Sequence, residues 1–459
     1  MPSDSHEENV VRDALSDLLR RTSHQAGVPG AQLAVYHRGE LHTCATGVEN
    51  IQTGRPVAPD SLFPMGSVTK TVTAALVMQL VEDGDVDLDA PVLDHLGGAA
   101  PDHPLRGATP RHLLSHTAGL VSERSETAPA PSLRRYVSSL APEDRVAEPG
   151  TLFSYSNTGY AVAGRLVETV TGQSWWETVE SHLCGSTGME LAPVLTPRPF
   201  PTADLVTGHA VDGAGRAHPV GFHIEPALAP AGGLAASATA LAAFGRAFLD
   251  PEHAALDGEV AAPDVLREMG RSVSVADPFG LADGWGAGWS LHLAGDRLWY
   301  GHDGTLDGAT CNLRVDPEGG SVVALTTNAT TGVTAWEHVV RGLRELGVDV
   351  GHYRQPDAAA EGTATGPGPD RVTGRYGNGG LAAEVVPGRD GYRLVMSNGF
   401  EGALSTGPGG AFRVVSERHG GIALSGRFLA DPAEPRRATA LQYNGRTLRL
   451  SGLAVGPNA

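Results

Sequence analysis

The chain has 459 residues, 41% of them hydrophobic, which is enough for about two or three domains with sizeable cores. Its 34 Lys and Arg against 52 Asp and Glu give a formal net charge of −18, which argues against nonspecific binding to nucleic acid or to an anionic membrane surface. Three widely spaced cysteines, an acidic N-terminus without a signal-like apolar segment, and no apolar run of roughly 18 residues predict a soluble cytoplasmic protein without a disulfide framework or a membrane helix.

The first part of the chain combines helical and strand patterns. The N-terminal segment predicts an amphipathic helix, and the runs "AQLAVYH" and "LHTCATG" around "RGE" predict a β-hairpin. A second amphipathic helix is predicted after Ser67, with apolar residues such as Ala74 and Val77 on one face and Gly84 as its end. The following "GDVDLDAPV" imitates a calcium loop, but Ala90 stands where that loop requires Gly, so we predict a solvated connection.

Strand patterns return late in this part of the chain. They are "GWSLHLAG", "DRLWYGH", "TCNLRVD" and "SVVALTTN", with "DPEGG" as a turn between the last two. We therefore expect one antiparallel sheet built from both ends of the region, with the helical middle inserted as a second lobe. A cleft between two lobes is where ligands usually bind.

The C-terminal part has a different pattern. Residues 354–370, "RQPDAAAEGTATGPGPD", are rich in Ala, Gly and Pro and predict a linker. Short alternating runs such as "YRLVMSN" and "TLRLSGLAV" follow, separated by Gly-rich turns, and predict a small β-barrel or sandwich. The predicted division is thus 1–353, a linker at 354–370, and a β-domain at 371–459.

The segment "FPMGSVTKTVTAAL" places a hydroxyl at Ser67 and an amine at Lys70. Residues three apart share a helix face, so Lys70 can reach the Ser67 oxygen, and the helix start supplies free N–H groups that favour an oxyanion. Alone, this pattern usually means a capping Ser and a solvated Lys. Lys70 could activate Ser67 as a nucleophile only if burial or a neighbouring cation lowered its pKa.

Two further segments carry candidate groups. "FSYSNTGY" offers the phenol of Tyr155 as a proton shuttle, and the amide of Asn157 to bind both a substrate carbonyl and Lys70. "WYGHDGTLDG" places His302 at a predicted strand end, followed by Gly304, where a ligand could approach the backbone. Each signal alone is weak, and an isolated His302 would more commonly be a satisfied core or surface histidine.

Together, S-x-x-K, Y-x-N and H-x-G in this order resemble the penicillin-binding-protein and class C β-lactamase superfamily of serine acyl-enzymes. "RHLLSHTAGL" and "PAGGLAASATALAAFGRAF" are also similar to segments of its esterase and D-peptidase branch, and we interpret both, His116 included, as mainly structural. The resemblance covers roughly residues 10 to 350. It implies an α/β (α+β) β-lactamase/transpeptidase-like fold, with an antiparallel sheet flanked by helices and an all-α lobe, followed here by a lipocalin-like C-terminal barrel.

The resemblance also implies roles for individual residues and requires neither a cofactor nor a metal. Ser67 would attack an acyl carbonyl while Lys70 and Tyr155 move its proton, and Asn157 would hold the substrate and orient the lysine. The predicted oxyanion hole consists of the backbone N–H groups of Ser67 and Thr305. The remaining candidates are His302, for the electrostatics around the Tyr155 proton, and, as substrate-binding positions, Asp303, Gly304, Gly232, Gly233 and Arg446.

The acyl acceptor is left open by these motifs. His302-Asp303-Gly304 replaces the Lys-Thr-Gly of many β-lactamases, which disfavours antibiotic hydrolysis. With the missing export signal and the appended β-domain, the chain resembles penicillin-binding-protein-type thioesterases, which cyclise nonribosomal peptides released as thioesters from a carrier protein. The alternatives are a D-specific peptidase, amidase or esterase, and a noncatalytic binding protein on the same fold.

Arg446 follows a strong hairpin signal, Asn444-Gly445, in the C-terminal β-domain. The simple interpretation is a solvated strand charge. In a cyclase, however, the barrel could cover the cleft, and the planar fork of Arg446 could bind a peptide carbonyl or the carboxylate of an intermolecular acceptor.

Overall fold

The computed structural model describes residues 4–97, 102–124, 130–185, 189–194, 205–250, 260–354, 370–388, 391–416 and 422–452. The predicted linker lies almost entirely outside these ranges, as do residues 453–459 of the predicted β-domain. The boundaries of the three predicted segments therefore stay a prediction.

The described residues form helices and strands in mixed order. The helices are α1 Asp4–Ala26, α2 Thr69–Glu82, α3 Leu93–Leu96, α4 Pro110–Leu114, α5 Leu133–Ser138, α6 Asn157–Thr171, α7 Trp175–Thr178, α8 Ala229–Gly232, α9 Ala238–Arg246, α10 Pro263–Met269 and α11 Gly332–Glu345. The first twelve strands are β1 Gly30–His37, β2 Glu40–Gly47, β3 Phe63–Pro64, β4 Leu191–Pro193, β5 Gly208–Val211, β6 Ala217–Val220, β7 Leu234–Ala236, β8 Gly284–Trp285, β9 Ser290–Ala294, β10 Arg297–Leu306, β11 Ala309–Asp316 and β12 Ser321–Thr327. The last eight are β13 Gly374–Asn378, β14 Leu381–Gly388, β15 Gly391–Met396, β16 Glu401–Thr406, β17 Ala411–Ser416, β18 Ile422–Ala430, β19 Ala438–Tyr443 and β20 Arg446–Gly452.

The central sheet has seven strands in the order β2-β1-β12-β11-β10-β9-β8. Its N-terminal hairpin joins the late strands where β1 pairs antiparallel with β12, for example Leu33 opposite Leu325. Helices α1 and α11 cover one face of this sheet, and α9 packs on the other. The prediction of one antiparallel sheet built from both ends and flanked by helices is confirmed.

One predicted strand is longer than its sequence suggested. We expected the strand "DRLWYGH" to end at His302, but β10 continues through Gly304 to Leu306, because it stays paired with β11. The turn comes afterwards, at Asp307 and Gly308, both of which have positive φ. The H-x-G segment is therefore part of a strand rather than a loop at its end.

The helix after Ser67 differs from the prediction in two ways. It begins with one 3₁₀ turn, Gly66–Val68, before α2 starts, although it ends next to Gly84, as predicted. Eleven of the 14 residues of α2 are buried, so it has no wide polar face. The reason is its position in the main core, where helices α6, α8 and α10 surround it.

The last eight strands form a closed antiparallel barrel with its own apolar core, which confirms the predicted C-terminal fold. Two of its turns contact the rest of the protein. Asn378, at the end of β13, binds the backbone N–H of Ser122, and the carbonyl of Gly445, between β19 and β20, accepts from the N–H of Tyr155. Among the helices of the described residues, none has the length and apolarity required to cross a bilayer.

Candidate active site

Ser67 lies on a tight turn that packs directly against strand β10. The preceding Gly66 has φ +50°, and a Cβ on Gly304 would lie 2.0 Å from the carbonyl oxygen of Met65, so β10 needs a glycine there to come this close. Because Ser67 is in the first turn of the helical segment, its N–H has no intrahelical partner. The turn thus presents a half-buried hydroxyl and a backbone donor beside β10.

Lys70 is fully buried one turn after Ser67, where helical spacing brings it to the hydroxyl. Its Nζ lies 3.1 Å from Ser67 Oγ and donates to Asn157 Oδ1 at 2.6 Å and to the carbonyl oxygen of Ala231 at 2.7 Å. Burial lowers the pKa of Lys70 well below its usual value, and the cation of Arg446 lowers it further against the opposing charge of Glu123.

Two short bonds constrain the protonation state of this lysine. The amide oxygen of Asn157 and the carbonyl oxygen of Ala231 can only accept, so they take two N–H bonds of Lys70. A neutral amine then has its lone pair left for the Ser67 hydroxyl. The site can therefore hold Lys70 as a neutral base without leaving a buried polar group unpaired.

Asn157 is oriented by a carboxylate that the sequence analysis missed. The Asn157 Nδ2 group donates to Glu123 Oε1, and because a carboxylate only accepts, this bond turns Oδ1 toward Lys70. Asn157 is the first residue of α6, whose N-cap is Ser156. No spacing signal links Glu123 to the motifs, since it approaches Asn157 only in the folded chain.

Tyr155 reaches the other side of Ser67. Its phenol interacts with the Ser67 hydroxyl closely enough to lower the phenol pKa, and its ring centroid lies 4.9 Å from Lys70 Nζ. Burial raises the pKa of Tyr155 well above its usual value, an effect that the Ser67 hydroxyl and the Arg446 charge oppose only partly. The phenol is therefore protonated near neutral pH, whereas burial shifts Lys70 toward its neutral form.

His302 is buried on β10 beside these groups, with its ring 6.2 Å from that of Tyr155 and 5.4 Å from that of Trp285. Its Nδ1 lies 2.9 Å from the carbonyl oxygen of Asp303. Burial, followed by the nearby Lys70 charge, lowers the pKa of His302 to about 3. His302 is thus a neutral member of the site wall.

Two other predicted positions, Thr305 and Asp303, lie on β10. Thr305 is exposed on β10 close to the Ser67 turn, since the site of a Cβ on Gly66 is 2.7 Å from the N atom of Thr305. Asp303 alternates with His302 along the strand, and its carboxylate is held by Arg314 at 2.8 Å.

The two glycines Gly232 and Gly233 are buried, and Gly232 packs against the Gly66 backbone. A structural role therefore accounts for the positions of both glycines and of Asp303, and their predicted contact with substrate stays a prediction.

Arg446 comes from the barrel. Asn444 and Gly445 have φ values of 46° and 66°, which is the geometry of a tight hairpin turn, and Arg446 starts the returning strand. Its guanidinium carbon lies 5.2 Å from the ring centroid of Tyr155. The C-terminal barrel therefore contributes a half-buried cation to this site.

Within the ranges that the structure describes, no group of three or more His, Cys, Asp or Glu side chains is placed to hold a metal ion. The side chains that converge on Ser67 are of the kinds that supply hydrogen bonds and a proton acceptor in acyl transfer.

Comparison with known proteins agrees with this geometry. The Beta-lactamase family pattern matches residues 15–347. The chain is 36% identical over 361 residues to Penicillin-binding protein 4 of Amycolatopsis lactamdurans, covering 75% of this chain and 91% of that protein. It is 26% identical over 342 residues to the unguisins hydrolase ungD' of Aspergillus campestris, covering 69% of this chain and 61% of that protein.

Among solved structures, the crystal structure of SurE matches with a TM-score of 0.85 and 39% identity, covering 96% of this chain and 99% of that chain. A second structure, SurE with D-Leu, matches with a TM-score of 0.83 and 38% identity, covering 96% of this chain and all of that chain. Both alignments are long enough to include the barrel. The chain therefore belongs to the beta-lactamase family and is a serine hydrolase or acyltransferase.

Proposed function

We propose that the chain forms an acyl-enzyme at Ser67 and transfers the acyl group to an amine of the same peptide, which makes it a stand-alone peptide cyclase. The acyl-enzyme part rests on one observation, the fully buried Lys70 whose amine points at the Ser67 hydroxyl. The preferred donor is a peptidyl thioester, delivered on a carrier protein.

Acylation follows from the two opposite pKa shifts. Neutral Lys70 accepts the proton of Ser67 while Oγ attacks the thioester carbonyl, and Tyr155, which remains a phenol, hydrogen-bonds the reacting oxygen. The negative charge forms on the carbonyl oxygen, and the N–H groups of Ser67 and Thr305 bind it. The tetrahedral intermediate then collapses with release of the thiol, which takes the proton back through Lys70 and Tyr155.

Deacylation repeats these steps with another nucleophile. A free amine of the peptide attacks the Ser67 ester, loses its proton to Lys70, and forms an amide bond as Ser67 Oγ leaves and is reprotonated. Asn157 holds the acyl carbonyl region and is itself held by Glu123. The outcome depends on whether the amine or water reaches the ester first.

The barrel supports the amine as acceptor. Arg446 lies over the Tyr155 ring, where a guanidinium can bind a peptide carbonyl and hold a bent chain near the ester. The similarity to SurE extends over nearly the whole chain, and one of the matching SurE structures holds D-Leu. A D-residue at the acyl end of the substrate is therefore part of the proposal.

Product ratios test the cyclase proposal. With a peptidyl thioester as substrate, Arg446→Ala should lower the cyclic-to-linear ratio by roughly tenfold, the effect of losing about 1.4 kcal/mol of orientation, while Ser67 acylation changes less. Arg449→Ala, an exposed arginine on the same strand, is the matched control and should keep the wild-type ratio. An unchanged cyclic-to-linear ratio in folded Arg446→Ala would contradict the proposal that the barrel helps the amine to reach the ester.

The second candidate is a D-specific peptidase, amidase or esterase. It is favoured by the neutral, buried His302 of the H-x-G segment and by the relative named as a hydrolase of unguisins. This candidate predicts the same acyl-Ser67 but water as acceptor. Exclusive formation of linear acid from free-amine thioesters of several lengths would favour it over the cyclase.

A further inference from the structure

His116 is a buried residue beside the candidate site that the proposed mechanism does not use. It follows helix α4 and is 1% exposed. Its backbone has φ +58°, a left-handed conformation that is costly for a residue with a Cβ. Strain of this kind persists only where surrounding contacts hold it, so those contacts indicate what the residue does.

The contacts of His116 bracket Tyr155. Its carbonyl oxygen accepts from the N–H of Ser154 at 2.9 Å, and its ring Nδ1 accepts from the N–H of Ser156 at 3.0 Å. The N–H of Tyr155 between them faces the other way and donates to the carbonyl of Gly445 at 2.9 Å. Three consecutive backbone donors are therefore bound, two by one histidine and one by the barrel.

The ring of His116 also supports the phenol directly. Its centroid lies 4.2 Å from that of Tyr155, at an interplanar angle of 33°. The rings of Phe153, Tyr160 and Trp285 enclose the His116 ring on its other sides, with centroids 5.1 to 5.6 Å from that of His116. Tyr155 cannot tilt toward this side without displacing a packed ring.

Only one state of the imidazole fits these contacts. Because Nδ1 accepts from Ser156, the ring proton is on Nε2, which is buried and has no hydrogen-bond partner among the residues described. Burial lowers the pKa of His116 well below its usual value, and the nearby Lys70, His302 and Arg446 lower it further. The imidazole therefore stays a neutral acceptor.

We propose that His116 is a positioning residue that fixes the Tyr155 phenol at Ser67, using Nδ1 as a backbone acceptor and its ring as a packing surface. The inference rests on the proposed role of Tyr155 in proton transfer. It also accounts for the left-handed backbone of His116, since that conformation lets one residue present its carbonyl and its ring nitrogen to the same segment, residues 154–156.

Two substitutions separate the acceptor from the ring. His116→Asn places an amide oxygen near the position of Nδ1 and tolerates a left-handed backbone, whereas His116→Phe keeps a ring and loses the acceptor. Using a short peptidyl N-acetylcysteamine thioester, we expect His116→Phe to slow single-turnover acylation of Ser67 by roughly 100-fold, as for a displacement of about 1 Å, with an unchanged Kd. His116→Asn should acylate at least roughly tenfold faster than His116→Phe.

The corresponding pair at His37, a half-buried histidine at the end of β1, is the control and should leave acylation unchanged. Equal acylation rates in folded His116→Phe and wild type would overturn the inference, as would equal losses in both His116 variants. If His116→Phe does not fold, ¹⁵N spectra of histidine-labelled wild type give the protonation state of His116 Nδ1. The His116 signal is assigned as the one that is missing in His116→Asn. An unprotonated Nδ1 supports the inference, and a proton on Nδ1 contradicts it.

These outcomes are distinct from failure of the proposed function. If wild type itself forms no acyl-Ser67, the mechanism is wrong whatever His116 does. If wild type is acylated and the two variants do not differ, the mechanism stands and only the positioning role of His116 is lost.

Discussion

Replacing Asn378 by Ala would remove a buried amide that joins the C-terminal barrel to two segments of the candidate site. Its Oδ1 accepts from the N–H of Ser122 at 2.6 Å, and its Nδ2 donates to Ser154 Oγ at 3.0 Å and to the carbonyl of Thr447 at 2.9 Å. Ser122 in turn donates its hydroxyl to the carbonyl of Tyr155 at 2.6 Å. The variant therefore tests whether barrel docking also holds the phenol.

The size of the effect follows from these bonds. An unpaired buried Ser122 N–H costs about 1–3 kcal/mol, and each of the two other bonds contributes about 0.5–1.5 kcal/mol, so Asn378→Ala should lower the free energy of unfolding by about 2–6 kcal/mol. The loss of the Asn378 bond also loosens Ser122, whose hydroxyl binds the Tyr155 carbonyl. We expect the acylation rate to fall by about 10- to 100-fold, since displacements near 1 Å cost that much.

The assay combines urea unfolding with single-turnover acylation, measured by intact mass without denaturant. Asn398→Ala is the control, because Asn398 is exposed in another barrel turn and its side chain accepts a local bond from the N–H of Phe400 at 3.1 Å. It should change neither quantity appreciably. A folded Asn378→Ala protein that acylates at the wild-type rate would refute the claim that docking positions the site.

Two further predictions concern Glu123 and His302. Glu123→Ala should slow acylation by about tenfold, because Asn157 loses the bond that orients it. Glu123→Gln keeps an acceptor for Asn157 but removes a charge that raises the pKa of Lys70, so it should shift the pH profile of acylation to lower pH. Identical rates and pH profiles in the two variants would contradict this account. The pKa of His302 is about 3 in the folded protein and about 6.5 in the unfolded chain, so the free energy of unfolding falls as the pH drops below about 6.5, by about 2 kcal/mol at about pH 5. In urea titrations, His302→Asn should therefore lose about 2 kcal/mol less free energy of unfolding than wild type between about pH 8 and about pH 5. An equal loss in both proteins would contradict this prediction.

The sequence patterns predicted those parts of the fold whose cause is local. Strand-forming runs bounded by turn residues in β1 and β2 and in the late strands were enough to predict the sheet, although β1, β11 and β12 are buried on both faces. Strand β10 was predicted too short because its Gly and Asp residues resemble a turn, while pairing with β11 holds them extended. Strands as short as Phe63–Pro64 carry no periodicity at all.

The site divides in the same way. The proximity of Ser67 and Lys70 follows from helical spacing, and Tyr155, Asn157 and His302 were found through the resemblance of three motifs. Glu123, His116 and Asn378 act through contacts that only the folded chain creates, such as the bond between Ser122 and Asn378, which are 256 residues apart. Such contacts leave no spacing pattern in a single sequence. His116 was part of a segment interpreted as structural, and its left-handed backbone is visible only in three dimensions.

The central claim is that an acyl group passes from a thioester to Ser67 and then to an amine of the same peptide. Rapid-quench intact-mass analysis of wild type and Ser67→Ala, mixed with a peptidyl thioester bearing a free N-terminal amine, tests it most directly. We predict a transient acyl adduct that maps to Ser67 and decays at the rate at which cyclic peptide forms, with neither species in Ser67→Ala. Cyclic peptide accumulating without an adduct, or an adduct that decays only to linear acid, would contradict the account.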